Sequence, residues 1–260
     1  MVLDSLVIEV TRRCNMTCEH CLRGCAQNVD MPFETIDKIF EGIDIVYNIT
    51  FTGGEPFLNI DVIEYTLKYV KEHNIQIFSV FVVTNGKHFE ERYISVMNDW
   101  IVYCMENNID MKNMLENGDR IMDMEEIYNY SGIAVSRDEY HESIPIKNYL
   151  RYRMLSYYST SKERESYGNR GLILEGKAYE NGFYGTVHIP SRFDFEDWED
   201  DDWENGTSLV SNLVYVSCLG EVVADCDLSY EHIEDESIGN INDTCLLDLF
   251  KKYAEEEQVA

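Results

Sequence analysis

Apolar and polar residues follow two alternating periodicities along the first half of the chain. Short apolar or β-branched runs predict buried strands of a parallel sheet. Longer stretches with apolar residues three or four positions apart predict amphipathic helices. The predicted strands cover residues 5–10, 44–51, 75–86 and 131–138, and the predicted helices cover 32–43, 62–73 and 90–106. Strands that alternate with helices of this length indicate βαβ crossovers, so the pattern predicts an α/β fold with a parallel sheet.

The pattern is less regular after Arg151. Residues 171–182 and 183–189 predict a fifth and a sixth strand, and an almost wholly acidic stretch with two tryptophans follows them. Like charges repel one another and resist packing, which favours a solvated linker, although an acidic docking edge for a basic peptide is an alternative. Farther on, the sequence predicts a β-hairpin that turns near Leu219 and Gly220, and a closing helix. We therefore expect a main domain at 1–193, an acidic linker at 194–205 and a small hairpin and helix cap at 206–260.

The composition is that of an acidic protein with enough apolar residues for a large core. Its 260 residues are 45% hydrophobic, and 21 Lys and Arg stand against 49 Asp and Glu, for a net charge of −28. Such a surface repels phosphate backbones and anionic lipid, so no nucleic-acid or membrane partner is expected. The chain starts almost at its first strand, so we expect neither a signal peptide nor a separate leader-binding domain, and it has no apolar run of about 18 residues. These features favour a cytoplasmic protein, in which clustered cysteines are expected to bind metal.

Three clustered cysteines follow the first strand, in the sequence CNMTCEHC. Thiolates are soft ligands that suit zinc or iron-sulfur clusters. Structural zinc usually has four ligands in two separated pairs, and no second pair is present, although His20 leaves a Cys3His zinc site open. In a [4Fe-4S] cluster, three cysteines would leave one iron without a protein ligand. An iron of that kind is available for chemistry. The three cysteines are Cys14, Cys18 and Cys21.

The three strand-end motifs together resemble those of the radical S-adenosylmethionine (SAM) superfamily. CxxxCxxC follows the first predicted strand, GGEP the second and TNG the third, and the resemblance covers roughly residues 5–190. It implies a partial (β/α)6 TIM barrel of the radical SAM type, with a [4Fe-4S] cluster and SAM at its open face. It also implies reductive cleavage of SAM to a 5′-deoxyadenosyl radical that abstracts hydrogen from a substrate, with an external electron donor such as flavodoxin or ferredoxin.

The resemblance also implies roles for individual residues. The three cysteines would bind three irons, His20 would lie against the adenine, and Gly53, Gly54 and Glu55 would surround the methionyl ammonium. Asn85 is a turn residue that could also contact SAM. Ser136 and Asp138 match the ribose-binding position, and Arg151 or Arg153 could pair with the SAM carboxylate. The sequence identifies no catalytic acid or hydrogen-atom donor; Cys218, Cys226 and Tyr230 are candidates if they face the barrel mouth.

The C-terminal region resembles a degenerate form of the SPASM-like extension of many peptide-modifying radical SAM enzymes. Cys218, Cys226, Cys245 and the Gly239–Asn240 pair carry this likeness, but the dense run of terminal cysteines is missing, so we expect no auxiliary cluster. Cys25 is expected to be a spectator. The kinship implies a ribosomal peptide or a protein side chain as substrate. A glycyl-radical enzyme activase is the second enzymatic interpretation, and a non-catalytic iron-sulfur or zinc protein is the third.

Overall fold

A computed structural model describes residues 1–107, 131–137, 140–141, 155–159, 172–195 and 209–259. Its strands form one large sheet and one small sheet. The strands are β1 (Val2–Thr11), β2 (Ile45–Gly53), β3 (Gln76–Thr84), β4 (Gly132–Arg137), β5 (Leu155–Ser159), β6 (Leu172–Ile173), β7 (Gly185–Thr186), β8 (Leu209–Val216) and β9 (Val222–Val223).

Helices connect or follow these strands. The helices are α1 (Phe33–Phe40), α2 (Ile60–Glu72), α3 (Glu91–Asn107), α4 (Gly176–Glu180), α5 (Tyr230–Glu236) and α6 (Leu246–Val259), with one 3-10 turn at Pro56–Asn59. No helix within the described ranges is long and apolar enough to cross a membrane.

The large sheet has seven strands in the order β5-β4-β3-β2-β1-β8-β9. Every neighbouring pair in it is parallel except β8 and β9. The carboxyl ends of the parallel strands therefore lie along one edge, where loops from different parts of the chain can meet. This arrangement confirms the predicted α/β class with a parallel sheet and is that of a partial barrel, because the sheet does not close on itself.

The two faces of the sheet differ in polarity because side chains alternate along a strand. One face, with Leu6 and Ile8 among its residues, packs against the helices in the main core. The opposite face carries half-buried polar side chains, including Thr50, Asn48 and Ser79. The Asn48 side-chain amide donates to the Ser79 hydroxyl at 2.8 Å, and Thr50 donates to the Asn48 carbonyl oxygen at 3.1 Å. The concave side of the partial barrel is therefore lined by small polar groups that can accept a polar ligand.

Each of the segments 171–182 and 183–189, predicted to supply a fifth and a sixth strand, contains a strand, but neither strand joins the large sheet. In these segments β6 and β7 are two residues long each and pair only with one another in the small sheet. Helix α4 occupies 5 residues of the first segment, where Lys177, Ala178 and Glu180 favour a helix and Gly176 and Gly182 lie at its ends with positive φ. The fifth parallel strand is β5, which the sequence analysis did not predict.

The predicted C-terminal hairpin is confirmed by the antiparallel pairing of β8 with β9. Its first strand has a second neighbour, since β8 also pairs in parallel with β1 over most of its length. The sixth parallel strand of the sheet therefore comes from residues 209–216. This strand lies within the segment that the sequence analysis assigned to a C-terminal cap.

Candidate functional site

The cysteine loop, residues 12–31, follows β1 at the carboxyl edge of the sheet. Backbone hydrogen bonds close its base: Arg12 N–H donates to the Val29 carbonyl at 2.9 Å, and Gln27 N–H donates to the Arg12 carbonyl at 2.9 Å. Inside the loop, Cys21 N–H donates to the Cys18 carbonyl at 3.4 Å, which places these two residues in one turn. Cys14, Cys18 and Cys21 are half-buried thiols outside any disulfide, whereas Cys25 is exposed.

The glycine pair after β2 fits tightly against the start of this loop. Gly54 N–H donates to the Thr11 carbonyl at 2.8 Å, and Glu55 N–H donates to the Arg13 carbonyl at 2.7 Å. A Cβ on Gly53 would lie 2.3 Å from the Thr11 carbonyl oxygen, and one on Gly54 would lie 2.4 Å from that of Arg13. Only glycine permits such an approach. The GGEP motif therefore holds the backbone immediately before Cys14.

Glu55 is a buried carboxylate, 1% exposed, at the centre of the turn network. It accepts hydrogen bonds from Phe57 N–H at 3.3 Å, the Thr84 hydroxyl at 2.7 Å and Asn85 N–H at 2.8 Å. Burial raises the pKa of Glu55 to about 7, because loss of water disfavours the charged form, while the three donors act in the opposite direction. Glu55 thus joins the turns that end β2 and β3.

Asn85 connects the third motif to the first cysteine. Its side-chain amide donates to the Asn15 side-chain oxygen at 2.9 Å and lies 3.7 Å from the Cys14 sulfur, within hydrogen-bonding reach. Burial raises the pKa of the Cys14 thiol, while the Met16 N–H, 3.4 Å from the sulfur, lowers it. The charges of Glu55 and Cys21 also raise the pKa of Cys14. The structure therefore brings the three strand-end motifs together.

His20 lies beside the loop cysteines and is 9% exposed. Its ring centroid is 5.2 Å from that of Tyr140 and 4.8 Å from that of His141. Cys18, His20 and His141 also offer metal-ligating atoms that all lie within 4.8 Å of one another. The sequence analysis missed Tyr140 and His141, because nothing in a single sequence indicates that the residues after β4 return to the cysteine loop.

Helix α4 packs against the far side of the cysteine loop. Lys177 N–H donates to the Cys21 carbonyl at 3.0 Å, and the Asn181 side-chain amide donates to the Glu19 carbonyl at 2.8 Å. Gly176 is in a left-handed conformation at φ +49°, and a Cβ there would lie 2.4 Å from the Leu22 carbonyl oxygen. The segment around α4 is therefore attached directly to the loop that carries the thiols.

Two buried arginines join the cysteine loop to the C-terminal part of the chain. Arg12 donates to the Glu9 carboxylate at 3.2 Å and lies over the Tyr230 ring, 4.4 Å from its centroid. Arg23 donates to the carbonyls of Leu228 at 2.5 Å and Cys226 at 2.6 Å, and lies 4.8 Å from the centroid of the Tyr215 ring. A buried guanidinium needs acceptors, and C-terminal carbonyls supply them for Arg23. The sequence analysis did not identify the contacts of either arginine.

The remaining candidates lie in different places. Ser136 is half-buried on β4, in register with Tyr158 of β5. Cys218 and Tyr230 are buried, so the structure does not place them at an open barrel mouth. Asp138, Arg151 and Arg153 lie outside the described residues.

The site is a loop of three thiols fixed by two turns at the carboxyl edge of a partial barrel. Residues 8–103 match the family model of the Radical SAM superfamily. The matched region includes the cysteine loop and both turns, so this part of the chain is similar to members of that superfamily.

Three curated relatives are each similar to part of the chain. The uncharacterized protein MJ0907 of Methanocaldococcus jannaschii is 37% identical over 74 residues, 27% of this chain and 26% of that protein. The S-adenosylmethionine-dependent nucleotide dehydratase RSAD2 of Oncorhynchus mykiss is 28% identical over 105 residues, 38% of this chain and 29% of that protein. The putative glycyl-radical enzyme activating enzyme MJ1227 of M. jannaschii is 33% identical over 106 residues, 38% of this chain and 40% of that protein. Each match spans less than half of the relative's length.

A solved structure extends the comparison beyond the matched region. The structure of native anSMEcpe with bound AdoMet and Cp18Cys peptide superimposes with a TM-score of 0.52 and 15% sequence identity. The alignment covers 96% of this chain and 80% of that chain. At this identity the likeness is one of fold. It includes the C-terminal part of the chain as well as the parallel sheet.

The donor set fits the cluster that this superfamily binds. A [4Fe-4S] cluster takes soft thiolate ligands, and the loop offers three half-buried thiols beside buried turns. The second set, Cys18, His20 and His141, suits zinc, which accepts nitrogen and sulfur together. Both sets use Cys18, so zinc at the second set would compete with a cluster at the first.

Proposed function

We propose that Cys14, Cys18 and Cys21 hold a [4Fe-4S] cluster at which this chain cleaves SAM reductively. The observation that carries the proposal is the convergence of three motifs on one loop: Glu55 is bonded to the turn of Asn85, and the Asn85 amide reaches the Cys14 sulfur. Residues that are 41 and 71 positions from Cys14 thus surround the same thiol. A structural zinc knot would not need a buried carboxylate and a glycine pair beside it.

In this proposal the chain's own residues bind and orient the cofactor. When bound, the cluster and SAM supply one-electron cleavage to a 5′-deoxyadenosyl radical that abstracts hydrogen from a substrate. Glu55 accepts a hydrogen bond from the methionyl ammonium, since a carboxylate has lone pairs beyond those used by its three donors. Gly53 and Gly54, which pack against the backbone of residues 11–13, would border the methionyl ammonium, and His20 would lie against the adenine.

Further residues have proposed roles nearer the open face of the sheet. Ser136 binds the SAM ribose, and Asp138 supports it. Arg153 would pair with the SAM carboxylate. The half-buried polar face that carries Asn48 and Thr50 lies on the concave side, where it can receive the rest of the cofactor or a substrate.

We propose a ribosomal peptide or a protein side chain as the substrate. Two observations support this class. The anSMEcpe structure, whose fold this chain shares over most of its length, holds a peptide together with AdoMet. The net charge of −28 also favours attraction of a basic peptide. The second candidate is activation of a glycyl-radical enzyme, which is favoured by the likeness to MJ1227.

Anaerobic reconstitution tests the cluster and its use. We expect the wild type to bind about four irons and four sulfides, and to release 5′-deoxyadenosine and methionine when dithionite and SAM are added. Replacement of all three loop cysteines by Ala should abolish both cluster binding and the release of 5′-deoxyadenosine and methionine. Cys25→Ala is the matched control, because this exposed thiol lies four residues from Cys21 and should be dispensable. Full iron content in the triple variant, or no 5′-deoxyadenosine from an intact cluster at saturating SAM, would contradict the proposal.

The source of the abstracted hydrogen distinguishes the substrates. A deuterated peptide substrate should transfer deuterium to 5′-deoxyadenosine, as measured by mass spectrometry. Transfer from a glycine backbone of a partner enzyme would favour the activase. Transfer from a nucleoside would exclude the peptide class while leaving the radical SAM chemistry intact.

A further inference from the structure

The most exposed large apolar side chains of the described residues lie in one short segment. Tyr179 is 70% exposed, Tyr184 88%, Val187 71% and Ile189 82%. The most exposed large apolar side chain elsewhere, Val102, reaches only 53%. Single apolar residues on a surface are normal, but four within eleven residues form an unusual concentration. We name residues 179–189 the apolar segment.

The apolar segment is fixed against the cysteine loop. It begins within helix α4, whose Lys177 N–H donates to the Cys21 carbonyl at 3.0 Å. Asn181, inside the segment, donates to the Glu19 carbonyl at 2.8 Å. Phe183 makes an edge contact with the ring of Tyr140 at 5.7 Å, and Tyr140 in turn lies 5.2 Å from His20. A molecule bound to this segment would therefore lie beside the loop of three thiols.

The chemistry of the segment indicates an apolar partner with a flexible backbone. Tyrosines supply large contact areas at low conformational cost, and their hydroxyl groups can hydrogen-bond at the edge of an interface. Val187 and Ile189 are two positions apart and both strongly exposed, so one partner can contact both side chains. Burial of these exposed side chains would contribute free energy in proportion to the apolar area removed from water.

The charge that follows the segment along the chain indicates that the partner is basic. An acidic run starts at Asp194, five residues after Ile189, and eight of the eleven residues of 194–204 are Asp or Glu. The chain as a whole carries −28. Lysine side chains that flank apolar residues in a peptide would be attracted to this region, and acidic peptides would be repelled.

We propose that the apolar segment docks a substrate peptide in which lysines alternate with apolar residues, and holds it beside the cysteine loop. The proposal rests on the proposed function, since it concerns how a substrate of that site is recruited. Docking here raises the local concentration of the peptide near the site of hydrogen abstraction, which speeds turnover without a new contact at the reacting atoms.

The test measures peptide binding to reconstituted protein by fluorescence anisotropy. The probe is a pool of labelled 12-residue peptides with lysine at alternate positions and Val, Leu, Ile or Tyr at the others. We expect the triple variant Tyr184→Ser, Val187→Ser, Ile189→Ser to bind this pool at least tenfold more weakly than wild type. The matched control is Tyr47→Ser with Val102→Ser, which removes side chains 46% and 53% exposed elsewhere and should bind as wild type does.

A second pool with glutamate in place of lysine should bind at least tenfold more weakly to the wild type than the lysine pool. Hydrogen exchange should slow at 179–189 when the lysine pool binds. Equal affinity of the triple variant and its control, or equal affinity of the two pools, overturns the proposal. So does self-association of the wild type that the triple variant lacks, because the occupant would then be a second copy of the chain. Iron content and SAM affinity are measured for each variant, so a protein without a cluster contradicts the proposed function instead.

Discussion

Glu55 is a carboxylate that the fold removes from water and supplies with donors but not with a cation. Phe57, Thr84 and Asn85 all donate to it, and no Lys or Arg within the described part of the chain forms an ion pair with it. Burial therefore favours its protonated form, and its pKa rises to about 7. A bound ammonium group would supply the missing positive charge, so the carboxyl group of Glu55 would lose its proton. This single residue thus connects the stability of the protein to its proposed cofactor.

Its titration predicts a pH dependence of stability in the protein without SAM. The folded-state pKa of about 7 exceeds the ordinary value of 4.5, so the folded state retains the proton over that interval. The contribution of Glu55 is fully present below about pH 4.5 and is lost as pH rises towards 7, by about 3 kcal/mol in all. Urea unfolding of wild type and Glu55→Gln at pH 5 and pH 8 measures this contribution. Between pH 5 and pH 8 the free energy of unfolding should fall more for the wild type than for the variant. Equal decreases would contradict the raised pKa of Glu55.

Among the elements, the turn after β2 determines where the cysteine loop begins. Its two glycines approach the backbone of residues 11–13 more closely than any side chain would allow. The same turn places Glu55 against the end of β3. One short motif therefore sets the relative positions of three strand ends. Because its residues are consecutive, the motif can be recognised from the sequence alone.

A substitution in this turn should disturb the loop and not only the turn. Gly54→Ala would place a Cβ 2.4 Å from the Arg13 carbonyl oxygen, so the backbone before Cys14 must move. We expect iron content after reconstitution to fall by more than half. Gly182→Ala is the control: it strains the backbone of a glycine at positive φ by about 1 kcal/mol, but no atom lies within 4 Å of the added Cβ. Full iron content in Gly54→Ala would show that the close approach has no role in the site.

On the scale of the whole molecule, the C-terminal part is attached to the parallel sheet and to the cysteine loop. β8 pairs with β1, and Arg12 and Arg23 contact Tyr230 and Tyr215 from the two ends of the cysteine motif. Arg23 also donates to two C-terminal carbonyls. These contacts predict that residues 209–259 unfold together with the N-terminal strands.

A buried valine on β8 tests this coupling. Val216 is fully buried and pairs with Ile8, so Val216→Ala should lower the free energy of unfolding by about 2 kcal/mol through lost burial and a cavity. The reporter is Trp100, buried on α3, in a background with Trp198→Phe and Trp203→Phe that leaves it as the single tryptophan. In Val216→Ala, the unfolding transitions followed by Trp100 fluorescence and by circular dichroism should shift by the same amount. An unshifted Trp100 transition would show that the C-terminal part unfolds independently.

The sequence by itself indicated the α/β class, most strands of the parallel sheet and the three motif turns. It could do so because their signals are local: a strand is an apolar run, a helix has its own period, and a glycine pair or a cysteine cluster is read within ten residues. The lengths and the sheet of the short strands β6 and β7 could not be predicted from the sequence. Their local apolar pattern is that of a strand, but tertiary packing limits each to two residues and pairs them outside the large sheet.

The tertiary structure alone decided which distant residues complete the site. Asn85 reaches Cys14 because parallel strands end at one edge of the sheet, and His141 reaches His20 from the segment after β4. Arg23 finds its acceptors more than 200 residues away, at Cys226 and Leu228. Such contacts have no local signature, since they depend on long-range strand order and on the need of a buried charge for acceptors. The sequence therefore determined the chemistry that the cysteine loop can perform, and the fold decided which side chains surround it.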